Sequence, residues 1–123
     1  MPVDSGPVVL DPGSGYIVVS AGAQTLPQDA GHVLLPLARA AIATQLGLNH
    51  TASEDLPWLK MSGACFITLT RESRLRGCVG TLRAHRALAE DVKANAVAAA
   101  FRDPRFPPLA AEELSAVALE ISV

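Results

Sequence analysis

The sequence is poor in aromatic residues, poor in cysteine and close to neutral, and each shortage removes a class of protein. One Trp, one Tyr and three Phe stand among 123 residues. A core with so few large rings relies on close approach of backbones, and alanine supplies much of the apolar content. Two cysteines, Cys65 and Cys78, are too few for a disulfide scaffold. A formal net charge of −2 argues against a protein that coats nucleic acid by bulk electrostatics. No apolar stretch approaches the roughly 18–20 residues that span a bilayer. The start, Met-Pro-Val-Asp-Ser-Gly, lacks the basic n-region and apolar run of a secretory signal. A cytoplasmic chain in a reducing compartment, with no membrane partner, is therefore expected.

What is present suits one globular domain. Half of the residues are hydrophobic, and a chain of this length buries roughly two-thirds of its unfolded surface. Residues 1–29 read as an irregular leader, because proline and glycine interrupt every regular pattern. Within it, Val8–Leu10 and Tyr16–Val19 would form a hairpin around Asp11–Gly15. Residues 30–123 read as the domain. Apolar residues from Val33 to Leu46 recur at helical spacing and predict a helix over 32–46, with Asp29 as a cap and Gly47 as a left-handed end. Pro36 is tolerable only if its missing N–H falls in the first turn. Residues 47–63 read as a loop anchored by a buried Trp58. Strands are expected at 64–70 and 74–82, joined by a turn at Arg71–Ser73. An Ala-rich helix follows at 87–101, carrying Leu88, Val92, Ala96 and Ala99 on one stripe and ending at Asp103–Pro104. Phe106–Pro108 continues as an extended turn. A helical turn is expected at 111–114, and 116–123 alternates like a strand. The order predicts α+β layers: an antiparallel sheet with flanking helices.

The chemistry concentrates in Leu75–Gly80, Leu-Arg-Gly-Cys-Val-Gly. Gly77 and Gly80 weaken a strand, and strand glycines mark a bulge or a place where another backbone or a ligand comes close. In a regular strand Arg76 shares a face with Cys78, and a guanidinium beside a thiol favours the thiolate. That suits a nucleophile or redox thiol, whereas a packed structural cysteine is the commoner outcome. Register decides whether Cys65 opposes Cys78 (pair numbers summing to 143) or points to the other face (144). His32, His50 and His85 lack metal-ligand spacing, so no metal and no cofactor is expected. Cys78 and His85 could meet across a turn, although a surface histidine is commoner. Glu90/Asp91 and Glu112/Glu113 are sequence neighbours expected to be solvated. Five arginines between Arg71 and Arg86 form either a small anion site or a solvated strand and turn. Asn95 needs partners if buried, and Arg102-Asp103-Pro104-Arg105 is either a salt-bridge knot or a reach toward an anion near Cys78.

These segments resemble the AMMECR1 domain family. The resemblance rests on Gly63–Leu69, Leu75–Leu82, Leu88–Val92 with Asn95–Ala96, and Ala98–Leu109, together with the helix at 34–42. It covers about residues 33–123, and Val79 replaces the family's isoleucine in the Leu-Arg-Gly-Cys-Ile-Gly run. The resemblance implies an α+β fold and, for bacterial members, a three-part system with a Memo-like protein and a radical-SAM protein. It implies no defined reaction. Its favoured site maps to Arg76, Gly77, Cys78 and Gly80, to which the bottom-up reading adds Asn95, Arg102 and Arg105 as ligand-binding candidates. The family domain continues beyond the strand that ends at Val123, so the resemblance implies a domain C-terminally truncated relative to the family, with an uncovered apolar surface or strand edge. Either a fragile product or a homodimer covering that surface is expected.

Three functions follow from these residues. One is an accessory binding component of the Memo-like and radical-SAM partners. Another is an enzyme or redox protein using Cys78. The last is RNA or nucleotide binding through Arg71–Arg86, which the net charge and scarce aromatics disfavour.

Overall fold

The computed structural model describes residues 9–11, 15–18, 26–27, 30–48, 52 and 54–123. Among these described residues, seven strands and two α-helices follow in the order β1 (Val9–Asp11), β2 (Gly15–Val18), α1 (Gly31–Gln45), β3 (Ser62–Gly63), β4 (Phe66–Arg71), β5 (Arg74–Gly80), β6 (Arg86–Ala87), α2 (Leu88–Phe101) and β7 (Val117–Ser122). Single 3-10 turns occupy Pro57–Lys60 and Ala111–Ala116. The class is α+β, as the pattern of elements predicts.

The main sheet runs β1-β2-β7-β4-β5, and β3 with β6 forms a separate two-stranded ribbon. All pairings are antiparallel except β2 with β7, which run parallel. The antiparallel sheet with flanking helices is as expected, and the β2–β7 pair adds one parallel ladder to it. A parallel pair needs a long crossover, and the chain between β2 and β7 supplies it. The strand that ends the chain therefore lies inside the sheet, between β2 and β4, while the edges are β1 and β5. Strand β7 is therefore paired on both sides among the described residues.

Alternation places Ile67, Leu69, Val117, Leu119 and Ile121 on one face, all essentially inaccessible. Both helices cover that face, α1 toward β1, β2 and β7, and α2 toward β4 and β5. The expected stripe on α2 is buried in full: Leu88, Val92, Ala96 and Ala99. Its small side chains let the helix approach the sheet closely. On α1, Arg39 donates to the carbonyls of Leu114 and Val117 at 3.0 and 2.8 Å, fixing the entry to β7.

Gly47 ends α1 at φ +80°, with Leu48 N–H to Ala43 O and Gly47 N–H to Thr44 O, a Schellman end. Because α1 begins at Gly31, Pro36 falls in the second turn, not the first as tolerance seemed to require. Asp29 and His50, together with Val8, Val19 and most of the turn at 12–14, lie outside the described residues. The hairpin of β1 and β2 is present where those strands are described. In the loop before β3 the buried anchor is Leu59; Trp58 is only partly covered.

Candidate functional site

Strand β5 departs from regular alternation at Arg76. Leu69 pairs with Gly77 and Thr70 with Leu75, which leaves Arg76 as the extra residue of a bulge. Arg76 is buried, and its Nε and Nη2 donate to the two carboxylate oxygens of Glu113 at 3.1 and 3.0 Å. Arg71 adds a third bond to Glu113 at 2.8 Å. The Arg76 guanidinium, helped by the Ala110 N–H, holds the Glu113 carboxyl down at about 2. Arg76 Nη1 is buried without an acceptor, a state that costs roughly 1–3 kcal/mol in desolvation. The guanidinium expected beside the Cys78 thiol is thus engaged by a carboxylate from the far side of the sheet's end.

The two glycines of the run answer to the protein's own packing. A Cβ on Gly77 would lie 2.1 Å from the carbonyl oxygen of Ala99, so α2 can sit on β5 only over a glycine. A Cβ on Gly80 would lie 2.0 Å from the ring of Phe66, its cross-strand partner. Between them, Cys78 opposes Thr68, with Thr68 Oγ1 3.4 Å from Cys78 Sγ. The pair numbers sum to 146 on this side of the bulge, so neither expected register holds. Cys65 turns to the helix side, where Asn95 reaches its sulfur; both thiols are free. Cys65 is fully buried, and that burial pushes its thiol up to about 12.

Edge strand β5 is closed at Cys78 by the segment after α2. The Cys78 N–H donates to Asp103 Oδ2 at 3.1 Å, and Arg105 Nη2 meets the same oxygen at 2.7 Å. Arg105 also donates from Nε and its backbone N–H to Asp103 Oδ1, both at 3.0 Å. These bonds, the Arg105 side chain foremost, hold the Asp103 carboxyl well below the usual carboxylate range. A carboxylate on the outward N–H of an edge strand blocks pairing with a further strand there. Arg105 lies 5.4 Å over the Phe106 ring. Arg102 is exposed and joins the cluster only by position, its backbone N–H bonding Ala98 O.

A second cluster lies beneath the sheet. Asp91, inaccessible to solvent, accepts four donors: Cys65 N–H at 2.8 Å, Thr81 Oγ1 at 2.8 Å, Arg86 Nε at 2.7 Å and Asn95 Nδ2 at 3.1 Å. Asn95 Nδ2 also faces Cys65 O and Thr81 Oγ1, each at 3.0 Å. Burial alone would raise the Asp91 carboxyl, but the bonds from Arg86, Thr81 and Cys65 outweigh it and lower it.

The candidate residues therefore divide. Cys78 and Arg105 meet at Asp103; Asn95 joins Cys65 instead; Arg76 belongs to Glu113. Asp91 and Glu113 were expected to be solvated and are corrected: Asp91 is the hub of the buried network and Glu113 the partner of two arginines. Asp91 sits one position from exposed Glu90, so a carboxylate pair hid one member that faces inward. His85 is exposed and makes no hydrogen bond with Cys78 among the described residues. Of the arginines between 71 and 86, Arg71 and Arg76 are paired with Glu113 and Arg86 with Asp91, which removes most of the free positive charge an RNA site needs. Among the described residues no group of three His, Cys, Asp or Glu could hold a metal, and no helix is long and apolar enough to cross a membrane.

Comparison with known proteins matches this arrangement to one family. The family model described as AMMECR1 matches residues 35–123. A Saccharolobus islandicus protein is 38% identical over 106 residues, covering 81% of this chain and 47% of the relative. A Methanothermobacter thermautotrophicus protein is 37% identical over 101 residues, covering 80% and 53%. The crystal structure of the uncharacterized protein PH0010 from Pyrococcus horikoshii is similar at a TM-score of 0.63 and 33% identity, covering 72% of this chain and 47% of that one. The chain spans about half the length of the curated relatives it matches. It belongs to the AMMECR1 family.

Proposed function

We propose that this AMMECR1-family chain is a cytoplasmic accessory component, carried by residues 30–123, that acts by binding Memo-like and radical-SAM proteins. One observation carries the proposal: the fold itself consumes the Leu75–Gly80 run. Gly77 admits the α2 backbone, Gly80 lies beneath Phe66, Arg76 is neutralised by Glu113, and Asp103 holds the Cys78 amide. Residues committed in this way shape and close a sheet edge. The guanidinium of the run itself, Arg76, is held by Glu113 and not by the thiol. Mixing the purified chain with each partner and measuring complex mass by size-exclusion chromatography with light scattering tests the proposal. A stoichiometric complex is expected; independent elution of the chain from both proteins overturns it.

A second reading, Cys78 as nucleophile or redox thiol, draws on the contrast between the two cysteines. Cys78 is half-buried beside the Thr68 hydroxyl, whereas Cys65 is sealed and its thiol pushed up to about 12. A thiol desolvated in this way stays protonated near neutral pH and is a poor nucleophile. Alkylation of the native protein, read by mass spectrometry, is expected to label Cys78 and to spare Cys65. If Cys78 is as inert as Cys65 across the pH range, the second reading fails.

A further inference from the structure

Between β5 and β6 the chain makes a short excursion, residues 81–85, whose tip is Leu82. Leu82 is 89% exposed, the most exposed large apolar residue among those described. Arg83, Ala84 and His85 beside it are exposed as well. A single exposed leucine needs no explanation. This one stands on an unusual base. Thr81 Oγ1 and Arg86 Nε, at the two ends of the excursion, donate to the same oxygen, Asp91 Oδ1, at 2.8 and 2.7 Å. Thr81 N–H also donates to Cys65 O at 2.9 Å, and Asn95 donates to Thr81 Oγ1. A buried carboxylate thus pins both ends of the loop while its tip projects into solvent.

Further apolar side chains are exposed on the elements that flank the loop. Phe66, 41% exposed, lies over Gly80, two residues before Leu82. Met61, 56% exposed, precedes β3, the strand paired with β6 on the far side of the loop. Charge in the loop is of one sign, carried by Arg83, and exposed Lys60 adjoins Met61. The nearest exposed acid in sequence, Glu90, is held by Lys93 at 3.2 Å. In a chain of net charge −2, a basic apolar loop stands out. Such a loop complements a surface of opposite sign. Its pinned ends also reduce the ordering lost on binding.

We propose that loop 81–85 is a docking point, with Leu82 as anchor, for a protein that offers an apolar socket rimmed by carboxylates. The proposal rests on the accessory function above and names the surface through which that partner is held. Leu82 enters the socket, Arg83 meets the rim, and Phe66 and Met61 flank the contact. Asp91 acts as a positioning residue, holding the loop's base without touching the partner.

The test titrates the full chain with the purified Memo-like protein and, separately, with the purified radical-SAM protein, at low and moderate salt. Three exposed-site variants are compared: Leu82→Ser, Arg83→Glu, and Leu75→Ser as a control on the same β-hairpin away from the loop. All three are expected to keep the wild-type circular dichroism and melting temperature. Leu82→Ser is expected to weaken binding by at least about tenfold. Arg83→Glu is expected to slow association and to flatten the salt dependence. Leu75→Ser is expected to bind as the wild type does. Binding that survives Leu82→Ser within about twofold overturns the docking loop while leaving the accessory function standing. A wild-type chain that binds neither protein overturns both. If Leu82→Ser instead dissolves a homo-oligomer seen by light scattering, the occupant is a second copy, and the partner of different chemistry is overturned.

Discussion

Two aspartates bracket α2, and each holds the backbone N–H of a cysteine. Asp91 accepts from Cys65 at 2.8 Å and Asp103 from Cys78 at 3.1 Å; each also meets an arginine at 2.7 Å. Their surroundings separate them. Around Asp91 the donors come from four segments of chain, and the carboxylate is sealed from water. Around Asp103 three of the four bonds come from one neighbour, Arg105, whose side chain is 55% exposed. The same chemical pairing ties together the interior in one place and caps a sheet edge in the other. The difference teaches that water access, and not the pair itself, decides what such a contact contributes.

Removing the carboxylates one at a time gives the largest contrast. Asp91→Ala leaves Cys65 N–H unsatisfied in a dry interior and takes the partner of Arg86, whose side chain is 35% exposed. It is expected to cost about 1–3 kcal/mol in urea unfolding. Asp103→Ala is expected to cost less in the same measurement, because the Cys78 amide and Arg105 regain water at the edge. Equal losses would erase the distinction between the two regions.

The glycines of β5 offer a smaller contrast. Gly77→Ala drives a Cβ into the Ala99 carbonyl, a backbone atom that moves only with α2, and is expected to cost about 3 kcal/mol. Gly80→Ala meets a partly exposed Phe66 ring that can swing outward, so its melting temperature is expected to fall less. The reverse order would mean that α2 rides on β5 more loosely than its backbone approach implies.

Acid gives the gentlest probe. Glu113 has its carboxyl lowered from 4.5 to about 2, and Asp91 and Asp103 are lowered too. A depressed carboxylate stabilises the fold fully above its ordinary value and loses that contribution as pH falls toward the folded value. Stability is therefore expected to decline between pH 4.5 and 2, with no matching decline on the alkaline side from these groups. Glu113→Gln should start lower at neutral pH and lose less on acidification. A variant whose acid slope equals that of the wild type would show that Glu113 is not one of the responsible groups.

Much of the frame was legible from residue order. Helical spacing gave both helices to within a residue or two at most ends, and Gly47 marked the end of α1. The stripe of α2 proved buried in full because alanine and leucine at that spacing have only one face to hide. Alternation located β4 and β7 for the same reason. The candidate site was less legible. Glu72 and Ser73 turn the β4–β5 hairpin with positive φ, without the glycine that usually signals it. The bulge at Arg76 adds one residue to one strand, which sends the guanidinium to Glu113 and sets Cys78 against Thr68. No spacing rule announces such an insertion. Asp91 gave no signal beyond its place next to Glu90: Asn95 and Arg86 lie nearby in sequence, but the Cys65 amide that completes its ring of donors comes from a distant strand end.

By itself the sequence determined the class, the helices, the central hairpin and the family, because periodicity, turn residues and ordered motifs act over a few positions. Tertiary structure alone decided that Asp91 and Asp103 are buried and by whom each is held, which face each thiol occupies, and why two glycines are required. Those outcomes depend on atoms brought together from far along the chain, where the approach of a helix carbonyl or the exclusion of water sets the energy.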